Sequence, residues 1–205
     1  MIELNNICKS FGEHIIFENY SLTIDNGEFV VITGNSGCGK TTLMNIMSSL
    51  EPVDSGEITV NGIDITKRKN QLKFLRDNVG FLFQNYGLID NKTVAENLKI
   101  IGTKSRSDIS MENALQAVGL ADKMEQYIYT LSGGEQQRVA LARLMYKKCS
   151  IIFADEPTGS LDKGNAVQVM EILKSLNNQG KTVIMVTHDS SLVSYGTKII
   201  ELGKN

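Results

Sequence analysis

Four short runs constrain this chain more than any other feature. Phe29-Val30-Val31-Ile32, Val79-Gly80-Phe81-Leu82-Phe83, Ile151-Ile152-Phe153-Ala154 and Val183-Ile184-Met185-Val186 carry no polar side chain. A strand with one face in water alternates apolar and polar residues, and these runs do not, so each is expected to be covered on both faces. Parallel sheets with helices packed on two sides have that property. Each run also ends in polar or glycine residues. The first enters a glycine loop, and the others enter Gln84, Asp155-Glu156 and Thr187-His188-Asp189. Open α/β sheets bind ligands at these carboxyl ends. Residues 41–50 and 166–176 read as helices between the runs, as parallel crossovers require.

Two regions differ from this core. Residues 2–32 and 57–66 read as shorter, more alternating strands, with the hairpin dipeptide Asn61-Gly62 in the second. Residues 94–146 have a helical pattern, in which 111–118 ends near Gly119. The expected class is α/β: a mostly parallel sheet core, an N-terminal antiparallel β subdomain and an inserted helical subdomain. One domain, 1–205, is expected, with about 1–84 and 147–205 forming the core and β subdomain and about 85–146 the helical part. Lys and Arg total 21 against 23 acidic residues, a net charge of −2 that argues against a general nucleic-acid binder. Cys8, Cys38 and Cys149 are scattered, odd in number and without metal-ligand spacing, as reduced thiols would be. The N-terminus does not read as a signal peptide. No apolar run approaches the roughly 18 residues that span a bilayer. Any action at a membrane is therefore expected to go through a partner.

Gly34-Asn35-Ser36-Gly37-Cys38-Gly39-Lys40-Thr41 fits the phosphate-loop pattern, in the strand-to-helix setting it requires. Its glycines let successive N–H groups turn toward one anion. Asn35, Ser36, Gly37, Cys38, Gly39, Lys40, Thr41 and Thr42 are the expected nucleotide contacts. Lys40 would neutralise the β- and γ-phosphates of ATP, and Thr41 would offer its hydroxyl to Mg²⁺. The Cys38 thiol lies among N–H groups beside Lys40, which could lower its pKa; the plainer reading is a small residue that fits the loop. Asp155, directly after an apolar run, is expected to hold the metal, through water. Glu156 beside it is the expected general base, the alternative being a solvated acidic turn. Gln84 could reach both Mg²⁺ and the attacking water.

Leu131-Ser132-Gly133-Gly134-Glu135-Gln136-Gln137 reads as a helix start that could hold a second anion, the plainer alternative being an ordinary capped helix. Ser132 and Glu135 have capping-box spacing. Residues 136–147 have helical character, with Val139, Leu141, Leu144 and Met145 as apolar positions. Two glycines at a helix start present free N–H groups and the positive end of the helix dipole.

In order, Phe11, the loop 34–41, Gln84, 131–137, Asp155-Glu156, Ser160-Leu161-Asp162 and His188 resemble the A-loop, Walker A, Q-loop, signature, Walker B, D-loop and H-loop of ATP-binding-cassette (ABC) ATPases. The match covers essentially the whole chain. Phe81-Leu82-Phe83-Gln84-Asn85-Tyr86 and 154–162 are similar to the branch of macrolide, lipoprotein-release and bacteriocin-export ATPases. The resemblance implies a P-loop NTPase (RecA-like) fold and an ATP-dependent, head-to-tail homodimer. Ser132, Gly133 and Gly134 would then contact the partner's γ-phosphate. Glu156, His188, Gln84 and Lys40 would be catalytic, with Thr41, Gln84 and Asp155 on the metal. His188 would contact phosphate and position the transition state. Phe11 would stack on adenine, the rival reading being a buried core aromatic. Asp162 would lie at the dimer interface, which is compatible with a helix N-cap there. A transmembrane permease subunit would dock at 85–91, where Tyr86, Leu88 and Ile89 are apolar, placing the protein at the cytoplasmic face of the cell membrane. The short stretch after His188 leaves no room for the regulatory domain some importer ATPases carry. Lys147-Lys148-Cys149-Ser150 lacks a proline that many relatives have, with no mechanistic effect expected. Rival functions are a soluble ABC protein acting on nucleic acid or ribosomes, without the coiled-coil insertions, zinc cysteines or second cassette usual there, and a nucleotide kinase, which leaves the signature unexplained.

Overall fold

The structure is a computed structural model that describes residues 1–159 and 161–203. In chain order its elements are β1 (Ile2–Phe11), β2 (His14–Ile24), β3 (Phe29–Gly34), α1 (Lys40–Met47), β4 (Ser55–Val60), β5 (Ile63–Asp64), α2 (Arg68–Asp77), β6 (Val79–Leu82), α3 (Val94–Lys99), α4 (Met111–Ala117), α5 (Gly133–Tyr146), β7 (Ile151–Asp155), α6 (Lys163–Asn178), β8 (Thr182–Val186) and β9 (Lys198–Leu202).

The four apolar runs become β3, β6, β7 and β8. They pair in parallel with β9 in the order β6-β7-β8-β3-β9. Successive side chains of a strand point to opposite faces, so each run feeds two cores. Phe29, Val31, Ile152, Ala154, Val183 and Met185 join the cluster built on α3–α6, with Val139, Leu141, Val169 and Met170. Val30, Ile32, Ile151, Phe153, Ile184 and Val186 join the other, with Leu43, Met44, Ile46 and Met47 of α1 and Ile2, Leu4, Ile7 and Ile24 of the N-terminal strands. Covering both faces removes water from the whole length of the central strands.

The N-terminal strands form an antiparallel sheet in the order β2-β1-β4-β5. β1 and β2 have 10 and 11 residues, longer than the alternation suggested. Register shifts interrupt their pairing between Leu4 and Ile7 and between Ile7 and Ser10, and each shift resets the period-two pattern. Val60 pairs with Ile63 across Asn61 (φ 49°) and Gly62 (φ 76°), both left-handed, as a type I′ turn demands. The helical stretch resolves into α3, α4 and α5 with 3-10 turns at Thr103–Ser105, Ala121–Lys123 and Ile128–Thr130. Two elements have no expected counterpart, α2 and the edge strand β9.

Phe153 is fully buried in β7, its ring centroid 5.9 Å from that of Phe81 and two residues from Asp155. Phe153→Ala should cost about 3–5 kcal/mol by leaving a cavity in the second core. Urea denaturation measures it, and a cost below about 1 kcal/mol would mean the core is not shared as described.

Candidate active site

The phosphate loop leaves β3 at Gly34, whose φ is 141°. A side chain there would collide with the Leu202 carbonyl of β9, so the turn runs hard against the edge strand. Gly39 (φ 96°) is the N-cap of α1 and supplies no side-chain hydrogen bond. The first N–H groups of α1 therefore face the loop without a capping side chain, the arrangement that receives anions. Lys40 Nζ folds back over its own loop, donating to the Gly34 carbonyl at 2.9 Å and the Asn35 carbonyl at 2.8 Å. Asn35, Ser36, Gly37 and Thr41 are exposed, and Thr42 is half-buried. Cys38 is half-buried and lies against Gly34 and Gly203, either of which would crowd it if it carried a side chain.

Strand order brings the other polar ends beside this loop. β3 lies next to β8, β8 next to β7, and β7 next to β6. Asp155 ends β7, where burial pushes its carboxyl above the ordinary value, Glu156 adds to the rise and Lys40 opposes it. Glu156 takes a left-handed backbone, φ 44°, rare for a residue with a Cβ. Its N–H donates to the Val186 carbonyl at 3.0 Å, which fixes the end of β7 to the end of β8. Its Oε1 lies 2.8 Å from Nδ1 of the exposed His188. That hydrogen bond is the main reason the imidazole pKa is raised. Gln84 is exposed, beyond the end of β6. A hydroxyl, a carboxylate and an amide oxygen suit Mg²⁺, which takes few protein ligands and completes its shell with phosphate and water. The desolvated Asp155 beside a second carboxylate fits a cation as well.

Ser132 is the N-cap of α5, as its capping-box spacing with Glu135 implies, and the helix starts at Gly133, three residues before the helical pattern read from 136. Its Oγ accepts from the Glu135 N–H at 3.3 Å, and Glu135 Oε2 accepts from the Ser132 N–H at 2.8 Å. Lys123 pairs with the other carboxylate oxygen. With these partners, Lys123 first, the Glu135 carboxyl is lowered from 4.5 to about 2. A Cβ on Gly133 would stand 3.0 Å from the Tyr86 hydroxyl, and one on Gly134 3.2 Å from Asn165 Nδ2. The glycines thus admit close neighbours as well as open the helix end. Asp162 caps α6, accepting from the Asn165 N–H at 3.0 Å. Ser160 lies outside the described residues.

Phe11, at the end of β1, is 50% exposed and so is not a buried core aromatic. The loop after Gln84 differs from expectation. Tyr86 and Leu88 pack against the first core, and only Ile89 of the three apolar residues is exposed. The cause is the left-handed backbone at Tyr86 (φ 64°), with the ring brought under Gly133. Two residues of α5 carry contacts not foreseen. The buried Gln137 donates to the Pro157 carbonyl at 2.8 Å, and Arg143 donates to the carbonyls of Gly87 at 2.6 Å and Tyr86 at 3.1 Å. Their signal was available: they are polar residues on a helix otherwise buried among Val139, Ala140, Leu141 and Leu144.

The profile described as ABC transporter matches residues 17–159. The chain belongs to the ABC transporter family. It is 42% identical to an uncharacterized ABC transporter ATP-binding protein of Methanocaldococcus jannaschii, over 98% of this chain and 95% of that protein. It is 40% identical to the macrolide export ATP-binding/permease protein MacB of Campylobacter jejuni, over 98% of this chain and 33% of that protein, so it spans about a third of that relative. The dimeric structure of the cassette MJ0796 superposes with a TM-score of 0.86 at 38% identity, covering 98% of this chain and 94% of that one. Its post-hydrolysis dimer bound to ADP and Pi gives 0.85 at 36%, with the same coverage. The ABC cassette described here is an ATPase with the P-loop NTPase fold.

Glu135 gives this site a pH signature. Its carboxyl is lower in the folded chain than the ordinary 4.5, so its stabilisation is present above pH 4.5 and disappears as pH falls toward about 2. Glu135→Ala should lose about 1–2 kcal/mol at neutral pH. The gap between wild type and variant should narrow between pH 4.5 and 2 in denaturant titrations. A gap constant across that range would remove the capping box from the account.

Proposed function

We propose that this cassette is the ATP-hydrolysing subunit of a membrane-coupled ABC machine. Two copies close head to tail on two ATP molecules and so drive a separate transmembrane permease subunit at the cytoplasmic face of the cell membrane. The observation that carries the reading is the Glu156–His188 pair, 2.8 Å apart at the carboxyl edge of the sheet that also bears the phosphate loop. The division is one ABC ATPase unit, 1–205, with about 85–146 as its helical part.

The phosphates lie along the loop 34–41 and the first turn of α1, and Lys40 exchanges its loop carbonyls for phosphate oxygens. Thr41, Gln84 and Asp155 would hold Mg²⁺, Asp155 through water, and the ion would neutralise phosphate charge. Glu156 accepts the proton of the attacking water. His188, whose protonated form Glu156 favours, donates to a γ-phosphate oxygen and positions the transition state. Phe11 takes the base. Ser132, Gly133 and Gly134 complete the partner's site, and Asp162 borders the interface while capping α6. Moving a two-state equilibrium from 1:99 to 99:1 takes about 5.5 kcal/mol. Charge-assisted hydrogen bonds contribute about 1.5–3 kcal/mol each, so one or two γ-phosphate contacts in each of two sites suffice. Among the described residues no helix is long and apolar enough to cross a membrane. The cargo in this reading is a peptide, lipoprotein or drug-like molecule, exported or extracted; likeness to a macrolide export ATP-binding/permease protein supports the drug-like class.

Glu156→Gln should lower ATP turnover by about 10²–10⁴-fold and accumulate an ATP-dependent dimer on a sizing column. Turnover at the wild-type rate rules out Glu156 as base. Adding Ser132→Arg should abolish that dimer while the monomer still binds ATP; a monomer that no longer binds ATP refutes the contact in trans. The docking segment is tested at its exposed apolar residue. Ile89→Asp should reduce co-purification with membrane subunits without altering ATP binding by the isolated protein, and unchanged co-purification places the permease elsewhere.

A further inference from the structure

β1 presents Lys9 and Phe11 two residues apart, on one face of the strand. Lys9 is only 5% exposed, an uncommon place for a lysine. Its ammonium donates to Glu51 Oε1 at 2.6 Å and to the Pro52 carbonyl at 2.9 Å, with Asp54 Oδ1 at 3.8 Å. The same nitrogen stands 4.7 Å from the centroid of the Phe11 ring. Asp54 is held in turn by the N–H and hydroxyl of Ser10, each at 2.7 Å. A buried cation is tolerated only when it is paired, and here every partner but the ring comes from the segment just beyond α1.

One face of the half-exposed Phe11 ring is therefore occupied by a cation anchored in the protein. We infer that Lys9 is a positioning residue for the nucleotide base: it braces the Phe11 ring from behind and presents the opposite face to the purine. The inference rests on Phe11 as the base-stacking residue. The brace has a geometric consequence. The N-terminal end of α1 faces the phosphates, and the segment after its C-terminal end, Glu51 to Asp54, holds Lys9. One short helix therefore sets the spacing between the phosphate cradle and the base platform. A ring held before the base arrives does not have to be ordered on binding, which favours affinity. A phosphate chain without a base gains nothing from it.

Calorimetric titration of the full chain with Mg-ATP and with Mg-tripolyphosphate separates the two cases. Lys9→Met keeps most of the stem and removes the charge. It should raise the Kd for ATP about three- to tenfold, the range a partly buried cation–π contact supports, and leave the Kd for tripolyphosphate unchanged. Lys9→Arg should restore ATP affinity. Phe11→Ala should also weaken ATP, and Lys9→Met added to it should have no further effect. If Lys9→Met does not fold, Glu51→Gln loosens the same ammonium and should show the same base-dependent loss. Equal losses for ATP and tripolyphosphate, or additive losses in the double variant, overturn the inference and leave Lys9 as a structural tie. If Phe11→Ala leaves ATP affinity unchanged, the stacking role of Phe11 fails first, and the inference fails with it.

Discussion

A strand buried on both faces cannot carry a charge along its length, because an unpaired polar group there costs more than the sheet can return. β3 and β7 obey this constraint through apolar residues alone until their ends. β8 opens on the buried Thr182, whose hydroxyl accepts from the Gly27 N–H, and is apolar from Val183 to Val186. The charged groups are displaced beyond the carboxyl ends. Strand order β6-β7-β8-β3-β9 then lines up Gln84, Asp155-Glu156, His188 and the phosphate loop along one edge. Residues more than a hundred positions apart meet because the two hydrophobic cores leave them nowhere else to go. This polar edge is a consequence of the packing rather than an addition to it.

Helix α5 connects that edge to the rest of the molecule. Gln137 and Arg143 are polar groups on a largely buried helix, and each donates to main-chain carbonyls: Pro157 just after Glu156, Tyr86 and Gly87 just after Gln84. A buried donor that loses its acceptor costs about 1–3 kcal/mol, so the buried Gln137 ties the helix to the loop at Pro157, while the half-buried Arg143 adds a weaker tie to the loop after Gln84. The helix begins at the glycines Gly133 and Gly134, crowded by Tyr86 and Asn165. A displacement of the loop after Gln84 is therefore felt at the signature through direct contacts, with no flexible segment intervening.

Much of this was legible in residue order, for definite physical reasons. The phosphate loop, the capping box at Ser132 and the I′ turn at Asn61-Gly62 are local: their chemistry is complete within a few residues. The four core strands announced themselves because burial on two faces removes all alternation. Other features are not local. α2 buries Phe74 alone in an otherwise charged surface, so it lacks an apolar stripe to read. The bulges in β1 and β2 shift the period that marks a strand. Glu156 and His188 each stand at an identifiable strand end, but that they touch depends on β7 lying beside β8. Tyr86 and Leu88 looked like loop surface, since nothing in the order of residues shows that a left-handed backbone turns the chain inward. Lys9 was hidden for the opposite reason: a lysine in a strand reads as a solvated residue unless its three oxygen partners are in view.

The same edge concentrates the costs of the fold. Glu156 holds a left-handed backbone of the kind that costs of order 1–3 kcal/mol in a residue with a Cβ. It does so beside Asp155, a desolvated carboxylate facing a like charge. Glycine at that position would relieve the backbone and lose the carboxylate that meets His188. The strain persists because the Glu156 N–H is tied to Val186 and because the strands on either side are locked into both cores. A divalent cation held at Asp155 would offset the electrostatic part of this cost and leave the backbone part.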